Sequence, residues 1–170
     1  MQVTHTTFLP LIRPRDGEPG DIVTDDFAAG LTLAYTFGPP YGERLVTTAD
    51  LSTLGLGRCM LREQATSNLA AQLGRVRLHG GPHAFMLSFD GMESSLLAAG
   101  DALWEQLGAS VSGELIVGVP ARDVVVVTGS ASAAGLDKAR RTVDRVFFAG
   151  DENLLSDALL VWREGCWQQF

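Results

Sequence analysis

The sequence predicts an α+β fold with a mainly antiparallel sheet, and three observations lead to this prediction. Strand-like segments occur in pairs joined by short turns, which favours antiparallel neighbours because parallel strands need long crossovers. Each of the last three pairs follows a helical segment, so an N-terminal strand pair precedes three helix–strand–strand units. Hydrophobic residues make up 46% of the 170 residues, which is enough to fill a core. We therefore expect a single domain over residues 1–170, in which residues 1–30 form an N-terminal arm and an acidic loop.

The N-terminal strand pair is interrupted by a charged loop. Residues 2–13 are rich in strand-forming side chains, but Pro10 restricts this segment to an edge or irregular strand. Residues 15–26 contain glycine, proline and five acidic side chains, a composition typical of a loop. Apolar residues at every second position of 31–37 predict the second strand, with one buried face.

The first unit opens with a capping box, since Thr47 and Asp50 have the spacing that starts a helix, and this short helix should end near Gly55. Longer helices are predicted over residues 58–73, 92–107 and 133–147. Strands are predicted over residues 76–78, 84–89, 113–119, 123–128, 159–163 and 166–170. The unbroken valines at 124–127 predict a strand that is covered on both faces.

Two of the predicted hairpins have turn residues that indicate their geometry. In the central one, Pro120 suits the second position of a type I turn. In the last one, a two-residue loop at Glu164 and Gly165 would place Trp162 directly opposite Trp167. Core packing across the strands is the favoured role for this tryptophan pair, and a binding platform is the alternative.

The charge balance narrows the classes of partner. Twenty acidic residues against thirteen basic ones give a net charge of −7. This charge argues against a nucleic acid as partner and permits a basic protein. No apolar run approaches the roughly 20 residues of a membrane helix, and residues 1–7 lack the features of a secretion signal. We expect a cytoplasmic protein that has no membrane partner, and the sequence leaves its oligomeric state open.

Asp90 and Glu93 are the first candidates for acid–base chemistry, because they lie where a predicted strand meets a predicted helix. The same spacing fits a capping box, with Asp90 as N-cap and Glu93 as its reciprocal partner, and this structural role is favoured. Arg122 and Asp123 at the central turn could clamp an anion. A solvent-exposed turn, which often carries such residues, is the favoured explanation of this second pair.

Other motifs give weaker signals. The segment from Gly129 to Gly135 has neither the spacing nor the lysine of a phosphate-binding loop, and a serine cap is favoured there. His79 and His83 lie on a Gly-Gly-Pro turn without a third ligand nearby. Cys59 is expected to be a buried, inert thiol on a helix. We therefore expect no cofactor, no metal ion and no identified catalytic residue.

Taken together, these segments resemble the YtpQ-like family of uncharacterised bacterial proteins over most of the chain, from about Phe8 to Phe170. The motifs that carry the resemblance are Phe8–Arg13, Ala65–Leu69, Asp90-Gly91 with Ser94, Gly113–Leu115 running into Val119-Pro120 and Asp123, and Phe147–Ala149. Family members have an additional N-terminal segment, which we expect this chain to lack. The resemblance implies no established activity, and it marks Asn68, Asp90, Pro120 and Asp123 as positions of interest.

Two functional hypotheses follow. The leading one is a non-enzymatic binding or regulatory protein, for example an immunity-type protein directed against a basic partner, with the early acidic loop as the first surface to test. The alternative is a small enzyme whose polar site lies between the Asp90–Ser94 helix start and the Arg122–Asp123 turn. In either case the candidate ligand- or partner-binding residues are Asp90, Glu93, Arg122 and Asp123.

Overall fold

A computed structural model describes residues 7–15, 20–38, 44–150 and 152–170. It has the α+β fold predicted from the sequence, with antiparallel strands in two sheets. The strands are β1 Leu9–Pro14, β2 Thr24–Asp26, β3 Leu31–Thr36, β4 Arg77–Gly80, β5 Ala84–Ser88, β6 Leu115–Ala121, β7 Val124–Gly129, β8 Leu159–Arg163 and β9 Cys166–Gln169. The α-helices are α1 Thr48–Leu54, α2 Arg58–Ala70, α3 Asp101–Gly108 and α4 Ala133–Ala149, and two 3-10 helices span Leu73–Arg75 and Glu93–Ala98.

The smaller sheet has the strand order β1-β3-β2. As predicted, the proline-containing β1 is an edge strand, since within the described residues it pairs only with β3. The strand β2 lies inside the segment predicted as a loop, so that prediction is wrong for Thr24–Asp26. Two adjacent aspartates disfavour a strand locally, but pairing with β3 outweighs this preference. Residues 1–6 of the predicted arm and residues 16–19 of the acidic loop lie outside the described residues.

The larger sheet has the strand order β4-β5-β7-β6-β8-β9. One face of it packs into a core shared with the smaller sheet and with the helices α1, α2 and α3, and the other face packs against α4. The valines of β7 divide between the two sides, because Val125 and Val127 enter the shared core while Val126 packs under α4. The prediction that this strand is covered on both faces is confirmed.

The helix predicted over residues 92–107 is broken in the structure. A 3-10 helix ends at Ala98, Ala99 is extended, and α3 begins after Gly100. The five residues Glu93–Leu97 are all buried. A regular amphipathic α-helix exposes one face, so this segment, which packs between β1 and β7, cannot continue as one.

The central hairpin also differs from its prediction. Ala121 pairs with Val124, so the loop consists of Arg122 and Asp123, and Pro120 belongs to β6. A register shift between Gly118 and Ala121 accommodates the proline in the strand.

Two helix caps predicted from the sequence are present. Thr47 and Asp50 form a reciprocal capping box at the start of α1, and Gly55 ends this helix. Ser132 caps α4 by accepting a hydrogen bond from the Gly135 N–H at 3.1 Å. Both local predictions are therefore confirmed.

Candidate functional site

The two turns that carry the predicted site residues lie next to each other. The backbone N–H of Ser94, in the first turn of the 3-10 helix, donates to the carbonyl oxygen of Arg122 at 2.8 Å. The backbone N–H of Arg122 in turn donates to the carbonyl oxygen of Asn153 at 3.1 Å. The fold thus brings the Asp90–Ser94 segment to the β6–β7 turn through main-chain contacts.

Glu93 is buried, with 5% of its surface exposed. Its Oε1 accepts hydrogen bonds from the backbone N–H groups of Phe89 at 2.6 Å and Gly91 at 3.2 Å. Its Oε2 and the hydroxyls of the buried Ser94 and Ser95 have no hydrogen-bond partner among the described residues. Glu93 therefore accepts hydrogen bonds from main-chain donors that precede the helix, but neither donor is an N-cap residue.

The predicted capping box between Asp90 and Glu93 is wrong. Met92, not Asp90, occupies the N-cap position of the 3-10 helix, and no side chain caps it. Asp90 is exposed at a φ of 52° and forms an ion pair with Arg75. Asp123 is exposed at the hairpin turn. Because Glu93 is buried while these two aspartates face solvent, the three carboxylates lie in different environments, and ligand binding by Asp90, Glu93, Arg122 and Asp123 stays a prediction.

A cleft lies away from these two turns, between the smaller sheet and the C-terminal hairpin. This cleft has a volume of about 550 Å³. We call it the tryptophan cleft. Its walls come from β2, α2, the start of α3 and the β8–β9 hairpin. Its lining residues include Asp26, Arg62, Asp101, Trp162, Cys166 and Trp167.

The wall on the hairpin side contains Trp162 and Trp167, and both rings pack against Trp104, the third tryptophan of the chain. Trp162 lies opposite Trp167 in the strand register, as predicted. Trp167 contacts Trp104 edge-to-face with ring centroids 4.8 Å apart, and the Trp162 and Trp167 centroids are 4.9 Å apart. Trp104 and Trp167 are buried, whereas Trp162 is only partly buried. The predicted core role is thus confirmed for Trp167, and Trp162 presents aromatic surface at the cleft.

Two indole N–H groups hold this cluster on the 3-10 helix. Trp104 Nε1 donates to the carbonyl oxygen of Leu96 at 3.2 Å, and Trp167 Nε1 donates to that of Leu97 at 3.0 Å. A buried indole needs such an acceptor. The irregular segment that replaces the predicted long helix therefore supplies the carbonyls that orient the tryptophans.

The charged residues of the cleft differ in their pairing. Asp26 forms an ion pair with Arg15 at 2.7 Å. Arg62 and Asp101 form no hydrogen bond or ion pair through their side chains within the described parts of the chain. The Asp101 carboxylate lies beside the hairpin turn, since a Cβ at Gly165 would be 3.5 Å from its Oδ2. It is exposed and available to a ligand.

A second hollow shares Asp26 with the cleft and is lined by Thr24, Asp25, Arg58 and Cys59. Cys59 is exposed, so the expectation of a buried thiol is wrong. Asp25 accepts a hydrogen bond from the hydroxyl of the buried Tyr35. Burial, together with this bond to a carboxylate, raises the pKa of Tyr35 well above its usual value. In this pair the neutral Tyr35 hydroxyl is the donor and Asp25 is the acceptor. The hydrogen bond holds the Asp25 side chain in place on β2.

Two positions marked by the family resemblance have structural roles. The Asn68 side-chain amide donates to the carbonyl oxygen of Phe8 at 2.8 Å, which ties α2 to the start of β1. Pro120 lies in β6, and its carbonyl oxygen accepts from the Leu155 N–H at 2.8 Å. Neither side chain lines the tryptophan cleft.

The described residues contain no cluster of three or more His, Cys, Asp or Glu side chains with the geometry of a metal site. His79 contacts the hydroxyl of Ser88 through Nε2 at 2.8 Å. No helix among the described residues has the length and apolar character needed to cross a membrane.

Sequence reasoning found the tryptophan pair and marked the acidic loop that contains Asp26, but it did not connect Asp26, Arg62 and Asp101 with one another. These residues belong to β2, α2 and α3, and no spacing along the chain connects them. For the hairpin side of the cleft, the sequence predicted that Trp162 and Trp167 lie opposite each other. This pairing indicated an aromatic surface, but it did not indicate which residues line the opposite wall of the cleft.

Comparison with known proteins finds distant relatives in Bacillus. The chain is 24% identical over 165 residues to UPF0354 proteins of Bacillus cereus strain AH187, Bacillus thuringiensis subsp. konkukian strain 97-27 and Bacillus anthracis. In each case the match includes 92% of this chain and 60% of the relative, so the chain spans about 60% of the length of these relatives. No protein-family model matches the chain, and no solved structure matches it. The predicted resemblance is thus confirmed as far as an uncharacterised bacterial family, while the YtpQ-like name stays a prediction.

Proposed function

We propose that this protein is a non-enzymatic binding protein that holds a basic segment of another protein in the tryptophan cleft. The observation that carries this proposal is that Trp162 and the unpaired carboxylate of Asp101 line the same open cleft within the described part of the chain. An aromatic face beside a carboxylate is a suitable site for a lysine or arginine side chain.

The volume and the lining of the cleft suit a long basic side chain. Its volume of about 550 Å³ lies within the range of ordinary ligand sites. Apolar residues, among them Phe27, Leu33 and Leu97, line it together with the charged residues. Such a surface can take the apolar stem of a long basic side chain while its charged end stays near a carboxylate.

The electrostatics of the hairpin side also favour a basic ligand. Asp101 and Glu105 are one helical turn apart on α3, and Glu164 is adjacent to Gly165, which lines the cleft. All three acidic residues are exposed and, among the described residues, none forms an ion pair. Arg62 on the α2 side is the opposing charge in the cleft, so we expect the basic groups of the ligand to lie toward the hairpin side.

The test uses a library of short random peptides selected on the immobilised protein. We expect peptides rich in lysine and arginine to be enriched, and an enriched peptide to change the tryptophan fluorescence saturably. Fluorescence is a direct probe here, because every tryptophan of the chain belongs to the cluster beside the cleft. Substituting Asp101→Lys should weaken this binding about tenfold or more.

Asp157→Lys is the matched control. It changes the net charge of the protein by the same amount at an exposed residue that does not line the cleft. The proposal fails if basic peptides are not enriched. It also fails if Asp157→Lys weakens binding as much as Asp101→Lys does, because binding would then reflect overall charge.

A further inference from the structure

The four edge strands of the described sheets differ in how they are protected against pairing with another strand. Natural sheets protect their edges with charged side chains, prolines or bulges. In the smaller sheet β1 contains Pro10 and Pro14, and β2 contains two aspartates. In the larger sheet β4 contains Arg77, whereas β9, with the sequence Cys-Trp-Gln-Gln, has no charge, no proline and a continuous register with β8. Among the described strands, β9 is therefore the unprotected edge.

Its outward hydrogen-bonding groups can be assigned from the ladder. Phe170 N–H donates to the carbonyl oxygen of Leu159 at 2.9 Å, so the main chain of Phe170 is hydrogen-bonded to β8. In an antiparallel pair every second residue makes such bonds to its partner strand, so Gln168 and Cys166 are also bonded to β8. The backbone groups of Trp167 and Gln169 must then point away from β8. Among the named elements only β8 packs extensively along β9, and neither residue has a main-chain hydrogen bond outside the ladder to another described residue.

This free edge adjoins the tryptophan cleft. Gly165, Cys166 and Trp167 all line the cleft, and Trp162 lies next to Trp167 on the neighbouring strand. A strand added to β9 would place every second side chain on the face of the sheet that carries the tryptophans. Strand addition combines main-chain hydrogen bonds, which give affinity, with pockets for alternate side chains, which give specificity.

We propose that the partner segment binds as an extended strand added to the outer edge of β9, with its alternate basic side chains directed to the tryptophan cleft. This inference rests on the proposed function and specifies how the ligand of the same site is held. A basic segment suits the edge better than a second copy of this chain does. A two-fold pairing of β9 with β9 would bring together two copies of a chain whose net charge is −7, whereas a basic segment is attracted to the exposed acidic residues Asp101, Glu105 and Glu164.

The test is Gln169→Pro, assayed with the basic peptide enriched on the wild-type protein. The Gln169 N–H points outward, so proline removes a donor of the free edge without removing a bond of the β8–β9 ladder. We expect peptide binding to fall about tenfold or more while the thermal midpoint stays near that of Gln169→Ala. Gln169→Ala is the matched control, because it alters the same side chain, keeps the N–H, and should bind like the wild type.

A second measurement keeps the inference testable if Gln169→Pro does not fold. The peptide is N-methylated at one amide at a time and titrated against the wild-type protein. Strand addition predicts that strong loss and tolerance alternate along the peptide, because only every second N–H faces β9.

The outcomes separate the two proposals. If the peptide binds the wild type but neither Gln169→Pro nor N-methylation weakens it, strand addition is wrong and binding in the cleft stands. If no basic peptide binds the wild type, the proposed function fails and this inference fails with it. If sedimentation shows a dimer that Gln169→Pro dissociates, the occupant of the edge is a second copy, and the assignment to a partner segment is overturned.

Discussion

The indole N–H of Trp167 donates a hydrogen bond to the carbonyl oxygen of Leu97 at 3.0 Å, and it does so across 70 positions of the chain. This bond connects the C-terminal hairpin to the 3-10 helix Glu93–Ala98. Both groups are buried, so each depends on the other for its hydrogen bond. The contact attaches the aromatic wall of the tryptophan cleft to this 3-10 helix.

Substituting Trp167→Phe should therefore lower the free energy of unfolding by about 1–3 kcal/mol, because it leaves the Leu97 carbonyl oxygen buried without its donor. Urea unfolding followed by circular dichroism measures this loss. Trp162→Phe is the comparison, since the Trp162 indole is partly exposed and makes no hydrogen bond to a described residue. Equal losses in the two variants would show that ring volume, not the hydrogen bond, sets the effect.

Glu93→Ala should destabilise the protein by about 1–3 kcal/mol, because it leaves the Phe89 and Gly91 N–H groups without their acceptor. Asp90→Asn should change the free energy of unfolding by less than about 0.5 kcal/mol, since Asp90 caps no helix and its ion pair with Arg75 is exposed. Asparagine also tolerates the positive φ at this position. A larger loss for Asp90→Asn than for Glu93→Ala, in parallel urea titrations, would contradict this assignment.

Gly135→Ala should be destabilising by about 1–3 kcal/mol or more. A Cβ there would lie 2.0 Å from the Thr128 hydroxyl oxygen and 2.4 Å from the His83 carbonyl oxygen, so the first turn of α4 would have to move off the sheet. Gly108→Ala is the control. At this residue, which ends α3, a Cβ would meet no atom within 4 Å, and the substitution should be neutral or stabilising by up to about 1 kcal/mol. Thermal unfolding of both variants measures these effects. If Gly135→Ala is as stable as the wild type, close packing of Gly135 against the sheet does not determine the position of α4.

Deprotonation of Tyr35 should lower the free energy of unfolding of the protein in alkaline solution. Its pKa is raised in the folded state by burial and by the hydrogen bond to Asp25, so the unfolded chain loses the phenolic proton first. The stabilisation is fully present below the unfolded pKa of about 10 and is lost as the pH rises above it. Tyr35→Phe should lower stability at neutral pH by about 1–3 kcal/mol and should flatten the alkaline decline. Urea titrations of wild type and variant from pH 7 upward test this, and parallel curves would rule out Tyr35 as the titrating group.

Much of the local structure could be predicted because its determinants lie within a few residues of each other. Thr47 and Asp50 start α1 through their own hydrogen bonds, and the two-residue loop at Glu164 and Gly165 fixes the pairing of Trp162 with Trp167. The candidate site could be predicted only in part. The spacing of Asp90 and Glu93 indicated a carboxylate that bonds to the backbone, and in the structure Glu93 alone has that role.

The sequence by itself determined the α+β class, the antiparallel hairpins and the aromatic pair, since these depend on turn chemistry and on side-chain periodicity within single segments. Tertiary structure alone decided that residues 93–98 form a buried 3-10 helix, that Thr24–Asp26 pair as a strand, and that Asp101 faces the tryptophan cleft. The physical reason is that these features depend on burial and hydrogen bonding between distant segments, which outweigh local preference. Tertiary structure also decided that β9 has a free edge among the described strands. Which strand lies at an edge depends on how all the strands of the sheet pair.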